Sequence, residues 1–480
     1  DDFDTVILVD DDGNPQHSLD KLDRAIATKE PLNSKQVSFM SGEKETIASI
    51  VAAFPDEEKA VKKYFQVLGE VRKATLGFVS LKAMPQWLGK LLVRTGLVHF
   101  MSNWFKYATI STGDMIKSIT SNRTLQAVLA YNFGDYGTIP KDSPFSMHAV
   151  LQNHFLKGVS FPIGGSSEIA FHIVPTILKA GGAVFVRAEV SEIVLDDSGK
   201  QAVGVKMKRD GKVIRAATIV SAAGIFNTVN KLVPSVGRPL LSSSLTHVRP
   251  GLGGVSVYIG LKGTAEELQL QGKQFWALWS KAGSEDLDSM VEGYLQRPRA
   301  TALDSPIPLL FISFPSAKDP LWAQRHPGKS TCTVVTVGNF EWFKEWEAAR
   351  VMHRGAEYEA FKKKLGDLIW RQTLALFPHL ADKVEYFEVG SPVTNNYYLA
   401  STGGAMYGCD HDLNRFTPEA TVALRSDTNI KNLYLSGQDI FTCGFAGATF
   451  GGLFCAASVL KRNVYADLMR LKAASPPSIK

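Results

Sequence analysis

The chain has 480 residues, of which 45% are hydrophobic and 21% are charged, a composition typical of a globular protein with room for a large core. Its net charge of +6 comes from 53 basic and 47 acidic residues spread along the chain, without the basic blocks of a nucleic-acid-binding arm, so no nucleic-acid partner is expected. The four cysteines form neither a disulfide framework nor a CxxC metal pair, and no apolar run reaches the roughly 20 residues of a transmembrane helix.

The first residues predict a β-hairpin, with Phe3 to Val9 extended and a turn at Asp12-Gly13-Asn14, because Asp-Gly tolerates positive φ. Helical patterns follow at Glu43 to Phe54 and Asp56 to Lys73, where apolar residues recur at three- and four-residue spacing. A mostly helical block is therefore predicted to continue to about Tyr136.

Within that block, the stretch from Ala83 to Phe105 reads AMPQWLGKLLVRTGLVHFMSNWF and mixes large apolar side chains with Lys90 and Arg94. This mixture suits a helix that lies in a membrane interface. Periodicity does not distinguish lipid from protein as the apolar partner, so a helical cap over a protein core is the alternative.

The middle of the chain predicts a helix from Ser166 or Ser167 to Ala180, ended by Gly181. A short strand, a three-strand meander and a second short strand ending in glycine follow it. The predicted bounds for four of these five strands are Ala183 to Arg187, Val190 to Leu195, Ala202 to Lys208 and Ala217 to Ser221.

Longer and more widely separated strands occupy the region from Gly253 to about Ser391, among them Leu309 to Phe314 and Thr331 to Val337. A helix from Tyr358 to Phe377 presents apolar residues on one side. This region is predicted to be mainly antiparallel sheet with helices, interleaved with the preceding unit.

Near the C-terminus, the stretch Asn432 to Asp439 reads NLYLSGQD, a short apolar strand that ends at a glycine and an acid. Ligands of open parallel sheets lie beyond the carboxyl ends of the strands, where Asp439 can accept hydrogen bonds from a ribose or polyol. Five glycines between positions 437 and 452 then precede an apolar helix, whose first-turn amides can face an anionic or electron-rich group. The alternatives are that Asp439 caps a turn and that the glycines serve helix packing.

A dinucleotide site also needs a G-x-G-x-x-G turn between a first strand and a helix, and this sequence contains none. The stretch RPGLGGVS has the wrong spacing and precedes a strand pattern. The residues alone therefore indicate parts of a nucleotide site without its glycine-rich phosphate-binding turn.

Six stretches carry a resemblance to known proteins: SPFSMHAVLQNHFLKG, FPIGGSSEIAFHIVPTILKAGGAV, RPGLGG, PLLFISFPSAKDPLW, YGCDHDLNR and NLYLSGQDIFTCGFAGATFGGLFCAASVLKRNVYADL. They resemble the carotenoid and retinoid oxidoreductase family, related to phytoene desaturases and carotenoid isomerases, from about Thr5 to Lys472. The resemblance implies an α/β, FAD-dependent oxidoreductase fold like those of glutathione reductase and the amine oxidases. It would combine a Rossmann-like sheet lacking its first βαβ unit with an interleaved substrate domain of antiparallel sheet and helices.

The same resemblance implies a division of the chain into four segments. Residues 1–145 would be a hairpin and helical region facing substrate and membrane, 146–235 the middle FAD-binding segment, 236–400 the substrate domain and 401–480 the C-terminal FAD-binding segment. Relatives carry a membrane-directing N-terminus and a glycine-rich βαβ unit before the point where this sequence begins, so the sequence is expected to be N-terminally truncated.

FAD is the cofactor that the resemblance implies, with NAD or NADP as a further one. Its family pattern assigns backbone contacts with adenine to Val190, with the dinucleotide to Ala223 and Gly224, with the pyrophosphate and ribityl chain to Gly437, Gln438 and Asp439, and with the flavin ring to Gly447 and Ala448.

No catalytic residue is assigned, and His411, Tyr398 and Tyr407 are candidates for substrate contact or proton transfer. Tyr397 lies in the same region. The run Cys409-Asp410-His411-Asp412 contains metal-ligand residue types, but successive residues do not easily converge on one ion, so no metal site is predicted.

The expected activity, again from the resemblance, is saturation of the 13,14 double bond of all-trans-retinol by a flavin, at a membrane surface of the endoplasmic reticulum. Two alternatives stay open: a polyene desaturase or isomerase on the same scaffold, and a flavin-free protein that binds prenyl groups or lipids.

Overall fold

The computed structural model describes residues 2–10, 14–280 and 286–474. These residues form two compact units, each built from three separate segments of the chain. The first unit comprises residues 1–73, 110–184 and 252–406, and the second comprises residues 74–109, 185–251 and 407–480.

The described residues contain twelve strands and twenty α-helices, numbered in chain order, besides eleven short 3-10 or π helices. The strands are β1 (Asp2–Asp10), β2 (Ser34–Met40), β3 (Val190–Leu195), β4 (Ala202–Met207), β5 (Val213–Arg215), β6 (Ile219–Ser221), β7 (Gly254–Lys262), β8 (Gln274–Ser280), β9 (Leu309–Ser313), β10 (Lys329–Val337), β11 (Val384–Gly390) and β12 (Leu433–Leu435). The helices are α1 (Pro15–Thr28), α2 (Glu43–Ala53), α3 (Glu58–Ala83), α4 (Gln86–Arg94), α5 (Val98–Met101), α6 (Trp104–Ala108), α7 (Thr112–Ile119), α8 (Arg123–Ala130), α9 (Phe145–Phe155), α10 (Ser167–Lys179), α11 (Ile225–Asn227), α12 (Ser242–Leu245), α13 (Leu287–Leu295), α14 (Pro315–Lys318), α15 (Trp322–Arg325), α16 (Ala356–Leu376), α17 (Pro392–Leu399), α18 (Pro418–Ala423), α19 (Gly444–Leu460) and α20 (Val464–Ala474).

The first unit is built on a seven-stranded mixed sheet with the order β11-β7-β10-β9-β8-β1-β2. Its neighbouring strands are antiparallel except β1 and β8, which run parallel with Val6 opposite Trp276. Helix α16 buries Leu365, Leu368 and Ile369, as its apolar spacing predicts. The predicted antiparallel sheet with helices is confirmed.

The second unit contains an antiparallel three-stranded sheet, β3-β4-β5, and a parallel pair, β6 and β12. One buried apolar cluster joins them, with members from both the middle and the C-terminal parts of the chain. Its members are Ile193, Ala202, Ile219, Ile225, Val229, Val233, Leu241, Cys409, Leu424, Ile430, Leu433, Leu435 and Ile440. The meander and the parallel strands β6 and β12 therefore share one core.

The predicted N-terminal hairpin is wrong. The strand β1 exists, but a helix follows it, and β1 pairs with β2 only after that helix. Asn14 caps α1 by accepting a hydrogen bond from the His17 amide, and Pro15 occupies the first helical position, both typical of a helix start. The rest of the predicted turn, residues 12 and 13, lies outside the described residues.

The predicted strand from Ala183 to Arg187 is also wrong, because this segment is irregular. No described strand pairs with it, and Phe185 and Val186 are exposed. A strand needs hydrogen-bonding neighbours. Elsewhere, α10 and the strands β3, β4 and β6 occur where the sequence predicts them.

The predicted interfacial helix between Ala83 and Phe105 is three helices, α4, α5 and the start of α6. Among the described helices, none is long and apolar enough to cross a membrane alone. Only α19 and α20 together meet that criterion, and they are bent by 114°.

Candidate active site at the ends of two parallel strands

The parallel strands β6 and β12 end side by side. Leu435 lies opposite Ser221, and the Ser436 amide donates a hydrogen bond of 2.9 Å to the Ser221 carbonyl. The segments that follow are Ala222 to Gly224 and Ser436 to Asp439, so the two glycine-containing ends are brought together. This is the edge at which open α/β sheets bind ligands.

The Asp439 carboxylate lies between these two ends, and the side chain is only 6% exposed. Its Oδ2 accepts from the Ile225 amide at 2.8 Å and its Oδ1 from the Cys409 amide at 3.3 Å. Gly224 leaves room for it, because a Cβ there would lie 3.3 Å from Oδ2. Asp439 therefore joins the loop after β6 to the loop around Cys409, and its contact with a ribose or polyol stays a prediction.

Arg415 joins the loop around Cys409 to the loop that follows β12, and the sequence reasoning missed it. Its buried guanidinium donates to the carbonyl of Cys409 at 2.8 Å through Nη1 and to that of Gln438 at 2.8 Å through Nη2. The carbonyls of Asp410 and Asp439 lie at 3.2 and 3.4 Å. The motif YGCDHDLNR contains this arginine, but a guanidinium that binds backbone carbonyls leaves no pattern of partner side chains in the sequence.

The acids of the Cys409-Asp410-His411-Asp412 run bind an arginine. Arg249 Nε lies 2.8 Å from Asp410 Oδ2 and 3.2 Å from Asp412 Oδ2. Burial raises the pKa of Asp412. Burial, followed by the nearby Asp439 charge, raises the pKa of the Cys409 thiol well above its usual range, so the sulfur stays protonated near neutral pH. These contacts give the run a structural role.

Of the proposed catalytic candidates, Tyr407 and His411 lie together. The His411 ring is fully buried, packs edge-on against Tyr407 at 6.1 Å and stacks on Phe416 at 6.1 Å. Tyr398 belongs to the other compact unit, where it is 65% exposed and packs edge-on against Tyr397 at 4.9 Å. Their roles in catalysis stay predictions.

The start of α19 is held by the loop before it, because Gln438 Oε1 accepts a 3.0 Å hydrogen bond from the Gly444 amide. A Cβ on Gly447 would lie 1.8 Å from the Thr442 carbonyl oxygen, and one on Gly451 would lie 2.1 Å from that of Gly437. Both glycines therefore let the helix pack on the backbone of its own loop. This is the packing role that the sequence left open, and a ring contact for Gly447 and Ala448 stays a prediction.

Val190 begins β3, pairs with Met207 and is half-buried. Its sheet is joined to the start of β12 through the Ala202 amide, which donates to the Lys431 carbonyl at 2.9 Å. A contact between Val190 and adenine stays a prediction.

The residues at this edge fit a dinucleotide cofactor. Gly437 has φ +97°, and a Cβ there would meet nothing within 4 Å, so the backbone is open to a ligand. Ala223 is exposed at the end of β6, and Phe445 and Ala446 are exposed in the first turn of α19. The amides of a first helical turn lack intrahelical acceptors and favour electron-rich groups.

Comparison with known proteins identifies the family. No family model matches the sequence. The chain is 43% identical over 92% of its length to all-trans-retinol 13,14-reductase of Homo sapiens, and the match covers 72% of that protein. The chain belongs to the all-trans-retinol 13,14-reductase family. Within this family, a Danio rerio protein named inactive all-trans-retinol 13,14-reductase is 35% identical over 91% of the chain and 71% of its own length.

Two solved structures share the fold of this family member. An oxidoreductase from Methanosarcina mazei has a TM-score of 0.52 at 15% identity, covering 96% of this chain and 81% of that one. A putrescine oxidase variant has a TM-score of 0.52 at 13% identity, covering 96% and 82%. The predicted amine-oxidase-like α/β fold is confirmed.

Proposed function

We propose that the protein is a flavoenzyme that uses FAD to saturate the 13,14 double bond of all-trans-retinol, giving all-trans-13,14-dihydroretinol. Membership of the all-trans-retinol 13,14-reductase family carries this proposal. The open glycine backbone at the ends of β6 and β12 supports it, because such an edge admits a dinucleotide.

Saturation of an alkene adds a hydride to one carbon and a proton to the other. Reduced FAD, when bound, supplies the hydride. The proposed tasks of this chain are to hold the cofactor beside Gly437 and Asp439, to align the polyene and to exclude water. Tyr407, His411 and Tyr398 are the proposed proton sources. NADH or NADPH as electron donor, and the endoplasmic reticulum membrane as location, are proposals that rest on the family resemblance.

The test is anaerobic incubation of the FAD-supplied protein with all-trans-retinol and either dithionite, NADH or NADPH, followed by chromatography of the retinoids. We expect 13,14-dihydroretinol with dithionite and with whichever nicotinamide is the donor. Reduced, bound FAD without dihydroretinol would overturn the substrate assignment, and a desaturated or isomerised polyene would favour the alternative enzyme. A protein that retains no FAD would overturn the flavoenzyme proposal. The same assay tells an active from an inactive family member.

A pair of variants tests the cofactor position in that assay. Ala223→Leu adds bulk at the exposed end of β6, so FAD and dihydroretinol should be lost together, while the thermal midpoint measured without FAD should match that of the FAD-free unaltered protein. The control Ala27→Leu, at an exposed position of α1, should keep both. FAD retained at full occupancy by Ala223→Leu would argue against this edge as the site.

A further inference from the structure

Six large apolar side chains of one short segment in the second unit face outward. They are exposed by 70% (Leu76), 68% (Trp87), 49% (Leu91), 52% (Leu97), 89% (Phe100) and 38% (Met101). We call these six the apolar surface of α3–α5. Exposed large apolar side chains concentrated in one segment are typical of an interaction surface.

The apolar surface belongs to a well-anchored part of the fold. Gly89 packs α4 against Val422, since a Cβ there would lie 3.1 Å from that side chain. Lys82 Nζ donates to the Leu424 carbonyl at 2.8 Å, and Trp104 stacks on Phe78 at 4.9 Å. One side of the segment is thus fixed to the protein, and the other side is left outward. The sequence of this stretch suits both a membrane interface and a protein core. In the structure, some of its apolar residues are buried against the protein and the six of the apolar surface are exposed.

The charged residues of the segment that carries this surface are all basic. No Asp or Glu occurs between Glu70 and Asp114, whereas Lys90, Arg94 and Lys106 are exposed. Lys90 and Arg94 form no salt bridge with any residue that the structure describes. A second copy of the chain would bring the same cations together, so self-association is disfavoured.

We propose that the apolar surface of α3–α5 docks on the face of a lipid bilayer that carries anionic headgroups. Trp87 and Phe100 would enter the boundary between headgroups and acyl chains, and Lys90 and Arg94 would bind lipid phosphates. The partner in this proposal is a membrane, and the docking does not involve the proposed FAD site. It deepens the proposed function, because an apolar retinoid dissolves in the same bilayer.

Co-sedimentation with vesicles tests the docking. Vesicles of phosphatidylcholine with one quarter phosphatidylserine should bind the protein about tenfold more tightly than phosphatidylcholine alone, and added salt should reduce the difference. Trp87→Ser with Phe100→Ser should weaken binding to both vesicles about tenfold or more. Lys90→Glu with Arg94→Glu should abolish the preference for phosphatidylserine.

Matched controls distinguish binding through this surface from nonspecific adsorption of exposed apolar residues to vesicles. Met352→Ser and Val236→Ser, at apolar positions that are 82% and 64% exposed elsewhere, should bind vesicles as the unaltered protein does. Brominated phosphatidylcholine should quench tryptophan fluorescence, and Trp87→Phe should remove that quenching. Unchanged binding by the Trp87 and Phe100 double variant, or no vesicle binding at all, would overturn the proposal.

Sedimentation velocity without lipid tests the competing occupant. A monomer supports lipid docking, and a dimer that Phe100→Ser dissociates would overturn it in favour of self-association. Because these measurements need neither FAD nor retinol, loss of the proposed enzymatic function would leave their outcome unaffected.

Discussion

At the scale of single residues, Arg415 and Asp439 each join two loops near the strand ends, Arg415 as a hydrogen-bond donor and Asp439 as an acceptor. The guanidinium donates to carbonyls of two loops, and the carboxylate accepts from amides of two loops. Both side chains are almost fully buried, where a lost partner leaves an unsatisfied polar group. The geometry of the strand ends therefore depends on side chains that need not touch a ligand themselves.

Replacement of Arg415 should measure this dependence. Arg415→Met removes hydrogen bonds to the Cys409 and Gln438 carbonyls and keeps much of the side-chain volume. We expect the free energy of unfolding to fall by about 3 kcal/mol in urea titrations, with weaker retention of FAD. The control Arg462→Met removes only an exposed pair with Asp467 and should cost under about 1 kcal/mol. Equal losses for the two variants would contradict the role given to Arg415.

The sequence predicted one of these two residues and missed the other. Asp439 stands four residues after the end of a short apolar strand, so its place near a strand end followed from the chain itself. Arg415 lies 23 residues before Gln438, and nothing local tells which carbonyls it reaches. The partner amide of Asp439, on Ile225, is 214 residues away and was equally unpredictable.

At the scale of elements, α19 shows how glycine spacing sets a close contact. Gly447 and Gly451 occupy neighbouring turns of one helix side, and each approaches a backbone carbonyl of the preceding loop. A carbonyl is held by its own backbone, so it cannot yield to a new Cβ as a flexible side chain would. Gly452 differs, because a Cβ there would meet nothing within 4 Å.

Alanine at these positions should give opposite results. Gly447→Ala brings a Cβ to within 1.8 Å of the Thr442 oxygen, and we expect a loss of about 2 kcal/mol or more in thermal or urea unfolding. The control Gly452→Ala should be neutral or stabilising by roughly 0.5–1 kcal/mol, from helix propensity alone. A neutral Gly447→Ala would show that the helix start can shift, and would argue against a rigid packing role.

Helices and strands were predicted well where the apolar pattern is long. They were predicted poorly where strand formation depends on pairing with a distant strand. The helix α16 and the strands of the large sheet carry apolar periodicities that persist over many residues. The stretch from Ala183 to Arg187 has strand-forming residues, yet it is irregular without a neighbouring strand among the described residues. At the N-terminus, Asn14-Pro15 is a signal for a helix start, but the preceding Asp12-Gly13 predicts a turn at the same place.

At the scale of the whole molecule, a buried acid should make stability depend on pH. Asp4 in β1 is 2% exposed, accepts a 2.7 Å hydrogen bond from the Tyr131 hydroxyl, and has its pKa raised to about 7 by burial. Its pKa in an unfolded chain is about 3.9. Between these values the folded protein keeps a proton that the unfolded chain releases, so this contribution is full at low pH and is lost as pH rises toward 7.

The variant Asp4→Asn should remove this dependence. At about 1.4 kcal/mol for each pH unit, the loss across the window is at most roughly 4 kcal/mol in the free energy of unfolding. We therefore expect the variant to gain stability relative to the unaltered protein between pH 5 and pH 8 in urea titrations. Asp20→Asn, at an exposed position of α1, is the control with an unchanged profile. Parallel profiles for Asp4→Asn and the unaltered protein would refute the prediction.

The sequence by itself determined the composition class, the family, many of the strands, several of the longer helices, and a strand end after NLYL. These features reside in neighbouring residues, because periodicity, caps and strand ends are local. Only the tertiary structure decided which loops Asp439 and Arg415 join, and that Gly447 and Gly451 pack against backbone carbonyls of the preceding loop. It also decided that Phe100 is exposed while Trp104 is buried. Those outcomes depend on contacts between segments that are far apart in the sequence. A local pattern of residue types does not specify such contacts.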